Sequence, residues 1–352
     1  MMFPNFVVIG SSRSGTTSLY HHLKEHPQVY VTPVLEPRFF AFEGDGLDYR
    51  GPGDHLLKER VVTTAADYVA LLDAVVAETA VGEVSPAYLS SSSAPHRIRH
   101  YAPNAKIIAI LRNPVERAIS SFRLEQLDGF ETAPSLDVAL DLEDAGRRAN
   151  WSYVWRYGYR GLYYTHLRHY FDLFPRDRIK ILRYEDWDDD DGVTLLREVF
   201  GFLGVDDRVL PERAVRLNST RADRFAARGI PRFDPSPELR ARLAHLYWDE
   251  IDRLEELTDL DLRTSARRAS STSTTSWAPT MLRWCTSKAA TGRGPGESAR
   301  NGNSTSTTTA TTRASMRTRR VRIAGAICPR RSVGCGSATA TSRSPVPAER
   351  AP

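Results

Sequence analysis

The stretch FVVIGSSRSGTTSLYHHL, residues 6–23, combines three signals in a fixed order. Phe6–Gly10 is a short apolar run, rich in β-branched residues and ending in glycine, which predicts a buried strand that enters a turn. Apolar residues then follow at helical spacing as far as Leu23, and Pro27 predicts the end of that helix. A strand, a loop and a helix in this order present backbone N–H groups and the positive end of a helix dipole to an anion. The sequence therefore predicts an anion-binding loop over residues 10–17.

The loop has the length of the ATP-binding motif G-x-x-x-x-G-K-[ST], but Thr16 stands where that motif has lysine. No predicted strand ends in an aspartate suited to hold magnesium, since the run Lys106–Leu111 leads into Arg112 instead. These departures argue against a P-loop kinase or NTPase, which remains an alternative. A catalytically inactive nucleotide-binding homologue is a second alternative, from a different class.

Short apolar strands alternate with amphipathic helices along residues 1–264. Besides the first strand, strands are predicted at Val29–Val31, Lys106–Leu111 and Ile179–Leu182. Helices are predicted after the strands that end at residues 111 and 182, and at Ala66–Val76, Ala94–His100 and Pro237–Leu257. This alternation predicts an α/β fold of the P-loop type, in which a mostly parallel sheet is covered by helices on both faces.

A second element carries residue types that suit a phosphate group. The strand Lys106–Leu111 is followed directly by Arg112, and the helix that begins after Pro114 carries Ser120. A guanidinium group can bind a phosphate through two parallel hydrogen bonds, and the Ser120 hydroxyl, two turns along, can donate another. Two such elements, each following a buried strand, are more specific than either element alone.

Together the two elements resemble the 5′-phosphosulfate loop and the 3′-phosphate element of the sulfotransferases that depend on 3′-phosphoadenosine 5′-phosphosulfate (PAPS). The resemblance covers roughly residues 3–264, and within that family the sequence is similar to the heparan sulfate branch. It implies PAPS as co-substrate, no metal, and transfer of a sulfuryl group to a hydroxyl or amine of a small molecule or carbohydrate. It also implies a set of donor-binding residues, which are Arg13, Ser14, Gly15, Thr16, Thr17, Arg112 and Ser120.

The resemblance also implies a catalytic base. The segment VLEPRFF, residues 34–40, is similar to one in the heparan sulfate branch in which a glutamate three residues before a Phe-Phe pair is the base, and that glutamate corresponds to Glu36. A carboxylate beside the sulfuryl group can accept the acceptor's proton. Arg13 is the second catalytic candidate, because it can neutralise charge on the sulfuryl and bridging oxygens. Two alternatives stay open: Glu36 as a solvated turn residue, and a histidine base as in the cytosolic branch, among His21, His22 and His26.

The acceptor side is less sharply defined. The heparan sulfate branch has a lysine after the residue that corresponds to Glu83, and Val84 stands in its place, so an extended and highly anionic glycan is not expected. The aromatic stretch over residues 151–164 predicts core packing, with an acceptor contact by one of its rings as the alternative. Three arginines are expected to close over the adenosine half of the donor: Arg221, Arg224 and Arg228.

Residues 265–352 differ in composition from the rest of the chain. They hold 15 Lys and Arg but only two Glu, and they are rich in Ser and Thr with few large apolar side chains. Such a segment cannot offset the entropy of ordering, so a disordered, low-complexity tail is predicted, either native or the product of a shifted reading frame. Residues 1–264 form the predicted sulfotransferase domain and carry a net charge of −8. The net charge of +5 therefore arises in the tail, and neither nucleic acid nor a membrane is expected as a partner.

All three cysteines lie in the tail, so residues 1–264 hold no disulfide framework and no thiolate metal site. The N-terminus lacks a basic region, and its apolar run is too short for a signal peptide. No stretch approaches the ~20 apolar residues of a membrane-spanning helix. These features predict a cytoplasmic protein.

Overall fold

The structure is a computed structural model of the chain, and it describes residues 2–187, 192–211, 235–260 and 262. The proposed domain boundary near residue 264 and the whole segment 265–352 lie outside the described residues, so both stay predictions. In the part of the chain that is described, no helix is long and apolar enough to cross a membrane.

A five-stranded sheet forms the centre of the described part of the chain. Its strands are β1 (Phe6–Gly10), β2 (Val29–Val31), β3 (Ala80–Val84), β4 (Lys106–Leu111) and β5 (Ile179–Arg183). The order across the sheet is β2-β3-β1-β4-β5, and every neighbouring pair is parallel. The predicted parallel sheet is confirmed, with β1 at its centre.

The helices of the described residues are α1 (Thr16–Glu25), α2 (Phe39–Phe42), α3 (Asp54–Arg60), α4 (Ala65–Ala70), α5 (Ala94–Tyr101), α6 (Pro114–Asp128), α7 (Leu136–Asp144), α8 (Tyr163–Leu173), α9 (Val193–Leu203) and α10 (Pro237–Thr258). Helices α1 to α8 lie in the connections between consecutive strands, as the crossovers between parallel strands require, and α9 and α10 follow the last strand. The predicted helix over residues 66–76 is shorter than expected. After Ala70 the amides of Leu71 and Leu72 bond three residues back, to Tyr68 and Val69, which tightens the chain into turns.

Two apolar layers cover the two faces of the sheet. In β1, Val7 and Ile9 belong to one layer while Phe6 and Val8 belong to the other, and all four side chains are fully buried. Helices α1 and α9 pack on the Phe6 side, whereas α2, α5, α6, α8 and α10 pack on the Val7 side. A parallel sheet that is buried on both faces reads as continuous apolar runs, which is why β1 and β4 were predictable. The expected covering of both faces is confirmed.

The carboxyl ends of the central strands meet at one edge. Val8 lies opposite both Val84 and Ile108, so the loops that follow β1, β3 and β4 begin side by side. In open α/β sheets this edge is where ligands bind. The predicted anion loop and the predicted Arg112 element both start here.

Candidate active site

The loop between β1 and α1 turns sharply over residues 11–15. Arg13 and Gly15 take φ angles of 71° and 82°, both in the left-handed region. A Cβ atom on Gly15 would lie 2.7 Å from Nε1 of Trp187, so the loop has room only for glycine there. Gly15 caps α1 without a side-chain hydrogen bond, and the first turn of α1 contains no acidic residue. The N–H groups at this helix start therefore suit an anion.

Hydroxyl groups line the inside of the loop. Ser11 and Ser14 are buried, and their Oγ atoms lie 2.5 Å apart. Ser11 Oγ also lies 3.3 Å from the hydroxyl of Tyr163, which comes from α8. Thr16 is buried and Thr17 is half-buried, at the start of α1. Because each serine hydroxyl has a partner, the loop is held in shape by its own side chains and by α8.

Arg112 leaves the end of β4 and lies against the loop. Its Nη1 donates to the carbonyl of Arg13 at 3.1 Å, and its guanidinium carbon lies 4.7 Å from the ring centre of Tyr184. The hydroxyl of Tyr163 donates to the carbonyl of Arg112 at 3.0 Å. Stacking on an aromatic face leaves the edge of a guanidinium group able to form further hydrogen bonds.

Ser120, the last of the predicted donor-binding residues, lies on α6. The helix is capped by Asn113, whose side chain accepts from the amides of Val115 and Glu116, and this fixes its start directly after Arg112. Nε of Arg13 donates to Oγ of Ser120 at 3.1 Å. The structure thus brings together three of the residues that the sequence analysis proposed for donor binding: Arg13, Arg112 and Ser120.

Glu36 lies in the loop between β2 and α2. Glu36 and Arg38 both take left-handed φ angles, 61° and 58°, around Pro37. The guanidinium group of Arg38 donates to the carboxylate of Glu36, and both side chains are mostly buried. Burial by itself lowers the pKa of Arg38, but Tyr153 and Glu36 raise it above its usual value, so Arg38 stays charged. The carboxylate of Glu36 is therefore held by a permanent cation.

One cleft of about 340 Å³ joins the two halves of the site. Arg13, Thr16 and Thr17 line it from the loop, and Glu36 and Arg38 line it from the β2–α2 connection. Arg112 and Ser120 are connected to the cleft through Arg13 rather than lining it.

The remaining wall of the cleft carries charges of both signs. Its charged members include Arg60, Glu125, Asp128 and Arg160, and Tyr153 adds an aromatic ring. Burial raises the pKa of Glu125 to about 7, and burial together with the charge of Arg117 lowers the pKa of Arg160. This wall is not a continuous cationic surface.

The rival histidines lie elsewhere, since the described lining of the cleft contains no histidine. His21 is exposed, and His22 is buried beside Glu25 at 3.4 Å. His26 is held at both ring nitrogens, by the carbonyl of Asp206 and the amide of Gln28.

The other expectations for the acceptor side have mixed outcomes. Val84 is buried in the layer beneath α1 and does not line the cleft. From the aromatic stretch, Tyr153 lines the cleft, whereas Trp155 and Tyr157 are core residues.

The three arginines expected over the adenosine lie outside the described residues: Arg221, Arg224 and Arg228. Over the described ranges no group of three or more His, Cys, Asp or Glu side chains could hold a metal ion.

Sequence reasoning missed Arg38, Tyr184 and Trp187. Tyr184 and Trp187 follow β5 at the same edge of the sheet as Arg112, and aromatic residues directly after a predicted strand were a usable signal. The ion pair of Arg38 with Glu36 depends on two left-handed backbone positions, for which a sequence of non-glycine residues gives no signal.

Residues 4–208 match the sequence profile of a family described as the sulfotransferase family, which is more than half of the chain. The chain belongs to this family. The crystal structure of a sulfotransferase from Alicyclobacillus acidocaldarius superposes with a TM-score of 0.65 and 32% identity, covering 76% of this chain and all of that one. The family and the fold both support sulfuryl transfer as the class of reaction.

Two curated sulfotransferases are also similar. Human heparan sulfate glucosamine 3-O-sulfotransferase 6 is 29% identical over 221 residues, which cover 62% of this chain and 57% of the human protein. Membrane-associated sulfotransferase kil1 of Dictyostelium discoideum is 30% identical over 123 residues, 35% of this chain and 23% of that protein. The matches thus span from about a quarter to little more than half of the length of these two sulfotransferases.

Proposed function

We propose that this sulfotransferase moves a sulfuryl group from PAPS to a hydroxyl or amine of a small molecule or carbohydrate. The observation that carries the proposal is the position of Arg13. Its side chain contacts Ser120, its carbonyl accepts from Arg112, and it lines the same cleft as Glu36. One residue thus connects both phosphate elements with the candidate base.

The donor site has the features that a nucleotide with phosphates at two positions requires. Gly15 leaves a space that a Cβ atom would fill, and the buried Nε1 of Trp187 beside it has no hydrogen-bond partner among the described residues. We infer that the loop and this indole N–H face the 5′-phosphosulfate, while Arg112 and Ser120 bind the 3′-phosphate. Charge-assisted hydrogen bonds of this kind are the strong ones in proteins.

The chemistry requires one proton transfer and one displacement. As the acceptor oxygen or nitrogen forms its bond to sulfur, the bond between sulfur and the bridging 5′-phosphate oxygen breaks, and the acceptor's proton passes to Glu36. Arg38 orients the Glu36 carboxylate through their ion pair. Arg13 stabilises negative charge on the oxygens around sulfur, and adenosine 3′,5′-bisphosphate leaves.

Isothermal titration calorimetry tests the donor half of the proposal. We expect tight binding of adenosine 3′,5′-bisphosphate, weaker binding of adenosine 5′-phosphate, and no binding of ATP with magnesium. Preference for ATP with magnesium would instead support a kinase or NTPase. Consumption of labelled PAPS with a panel of phenols, sugars and amino sugars tests the transfer, and donor binding without transfer to any acceptor would support an inactive homologue.

A further inference from the structure

A buried carboxyl group that takes no part in the proposed chemistry lies behind the Glu36 loop. Glu83, in β3, is fully buried. Three hydroxyl groups donate to it: Tyr68 and Tyr88 to Oε1 at 2.7 and 2.8 Å, and Ser85 to Oε2 at 2.7 Å. Three hydrogen bonds from hydroxyl groups compensate a buried carboxyl group for its lost hydration, so Glu83 is compatible with the core.

Two of these hydroxyls also accept hydrogen bonds from the backbone of residues 36–40, which comprise the Glu36 loop and the start of α2. The amide of Arg38 donates to Oγ of Ser85 at 3.1 Å. The amide of Phe40 donates to the hydroxyl of Tyr88 at 3.2 Å. Tyr68 has the same bond to Glu83 but no such bond to the loop. Glu83 is therefore connected to the backbone of residues 38 and 40 through one hydroxyl group each, that of Ser85 and that of Tyr88.

The ionised form of Glu83 determines which way the hydroxyl protons point. An ionised carboxylate only accepts, so the protons of Ser85 and Tyr88 must point at Glu83 and their lone pairs at the two loop amides. Burial raises the pKa of Glu83 to about 7, and above that pH the carboxylate form prevails. A group that donates at position 83 would turn one hydroxyl proton away from residue 83, and the hydrogen bond that this hydroxyl accepts from the backbone would be weakened.

The loop needs such anchors because its backbone is unfavourable. Glu36 and Arg38 are not glycines, yet both hold left-handed φ angles, which persist only where surrounding contacts fix them. The anchored amide of Arg38 lies within this stretch, and the anchored amide of Phe40 follows it in the first turn of α2.

We propose that Glu83 is a positioning residue that acts through Ser85 and Tyr88 to fix the peptide backbone of residues 36–40, and with it the direction of the Glu36 carboxylate. The inference rests on the proposed role of Glu36 as base. It does not rest on Glu83 touching the substrate, because Glu83 does not line the cleft.

Matched hydroxyl deletions test the proposal. Ser85→Ala and Tyr88→Phe each remove a contact to Glu83 and a contact to the loop, whereas Tyr68→Phe removes only a contact to Glu83. Above the pKa of Glu83 we expect kcat to fall by about 10²-fold in the first two, the usual effect of a misplaced catalytic group, with donor affinity unchanged. Glu83→Gln should resemble them, and Tyr68→Phe should stay close to the parent.

Hydrogen–deuterium exchange of peptides that cover residues 36–42 supplies a readout that does not depend on activity. Exchange should be faster in Ser85→Ala and Tyr88→Phe and unchanged in Tyr68→Phe. Unchanged exchange in the first two would overturn the positioning role, even if the parent proves to transfer no sulfate. Equal losses of kcat, donor affinity and melting temperature in all three variants would also overturn it, because they would indicate general packing. If Tyr88→Phe does not fold, the smaller deletion Ser85→Ala decides.

Discussion

Nε of Arg13 lies 3.1 Å from Oγ of Ser120, although 107 residues separate them along the chain. Arg13 belongs to the loop after β1, and Ser120 belongs to the helix after β4. Arg112, at the start of the second element, bonds back to the carbonyl of Arg13. The two proposed phosphate-binding elements are therefore in direct contact, since neighbouring parallel strands start their loops at one edge of the sheet.

Removing the proposed 3′-phosphate contacts should discriminate between nucleotides. We expect Arg112→Ala and Ser120→Ala to weaken adenosine 3′,5′-bisphosphate by roughly 1.5–3 kcal/mol each, the range for hydrogen bonds to charged groups, and adenosine 5′-phosphate much less. Calorimetry with both nucleotides measures the difference. Arg99→Ala is the matched control, because Arg99 is exposed and, among the described residues, donates to the carbonyl of Pro103. Equal losses for both nucleotides would show that Arg112 and Ser120 only support the loop.

Replacing the candidate base should separate chemistry from binding. Glu36→Gln keeps the size and the hydrogen-bonding capacity of the side chain but cannot take a proton, so transfer should fall by ~10²–10⁴ while donor affinity stays the same. Arg13→Ala should lower both, because Arg13 contacts the proposed 3′-phosphate residues and lines the cleft. Initial rates with labelled PAPS, together with calorimetry, give the two quantities. A Glu36→Gln protein as fast as the parent would place the base elsewhere.

The anion loop should not tolerate a methyl group at residue 15. In Gly15→Ala the new Cβ would lie 2.7 Å from Nε1 of Trp187, so loop or indole must move and donor binding should be lost. Gly129→Ala is the control, because Gly129 has nearly the same φ, 80°, but no atom within 4 Å of its added Cβ. Both variants should lose about 1–2 kcal/mol of stability from the left-handed backbone. Donor binding by Gly15→Ala at the parent's affinity would contradict the placement of the anion.

A buried histidine should make stability depend on pH. Burial lowers the pKa of His166 to about 4, below the value of 6.5 for an exposed histidine, and its Nε2 lies 2.9 Å from the carbonyl of Tyr159. Between these two values the unfolded chain binds a proton at this residue that the native state does not, so the contribution of His166 to stability falls as the pH decreases from 6.5 toward 4. The full loss from this group is on the order of 3 kcal/mol.

His166→Gln removes the titration while keeping an amide that can donate to Tyr159. Urea unfolding at several pH values should therefore show that the free energy of unfolding of His166→Gln increases relative to that of the parent as the pH falls from 6.5 toward 4. Glu83 and Glu125, whose pKa values burial raises to about 7, act in the opposite direction but contribute equally to both proteins. The same substitution at an exposed histidine, His96→Gln, should leave the dependence as it was. If the two variants show the same slope, the buried imidazole is not the cause.

Much of the fold was readable because its central strands are buried on both faces. Phe6–Gly10 is an unbroken apolar run, and Lys106–Leu111 is apolar after its first residue. The first run leads into the glycine-containing loop and the second into Arg112, and both suit the binding of an anion. The anion loop follows from glycine spacing and the helix start. Glu36, by contrast, was proposed from resemblance alone, since nothing in its spacing marks a lone glutamate before a proline as a base.

Strand β3 was missed because two of its five residues break the apolar pattern. Gly82 is needed since a Cβ there would lie 2.4 Å from the carbonyl oxygen of Phe6 in the adjacent strand. Glu83 is buried only because Tyr68, Ser85 and Tyr88 donate to it. Ser85 and Tyr88 lie within five residues of Glu83, but Tyr68 and the facing residue Phe6 come from other elements, so the local sequence does not mark Gly82 and Glu83 as members of a buried strand.

The donor loop and the proposed base leave the sheet from different strands. Residues 11–17 and 112–120 follow β1 and β4, whereas Glu36 follows β2, and the backbone after it is hydrogen-bonded to Ser85 and Tyr88, just beyond β3. The connection from residue 35 to residue 62 could therefore be exchanged for that of another sulfotransferase, provided that the contacts of Arg38 and Phe40 are kept. We expect such a chimera to retain the nucleotide preference of this protein and to accept different acceptors, so this segment is suited to redesign of acceptor specificity.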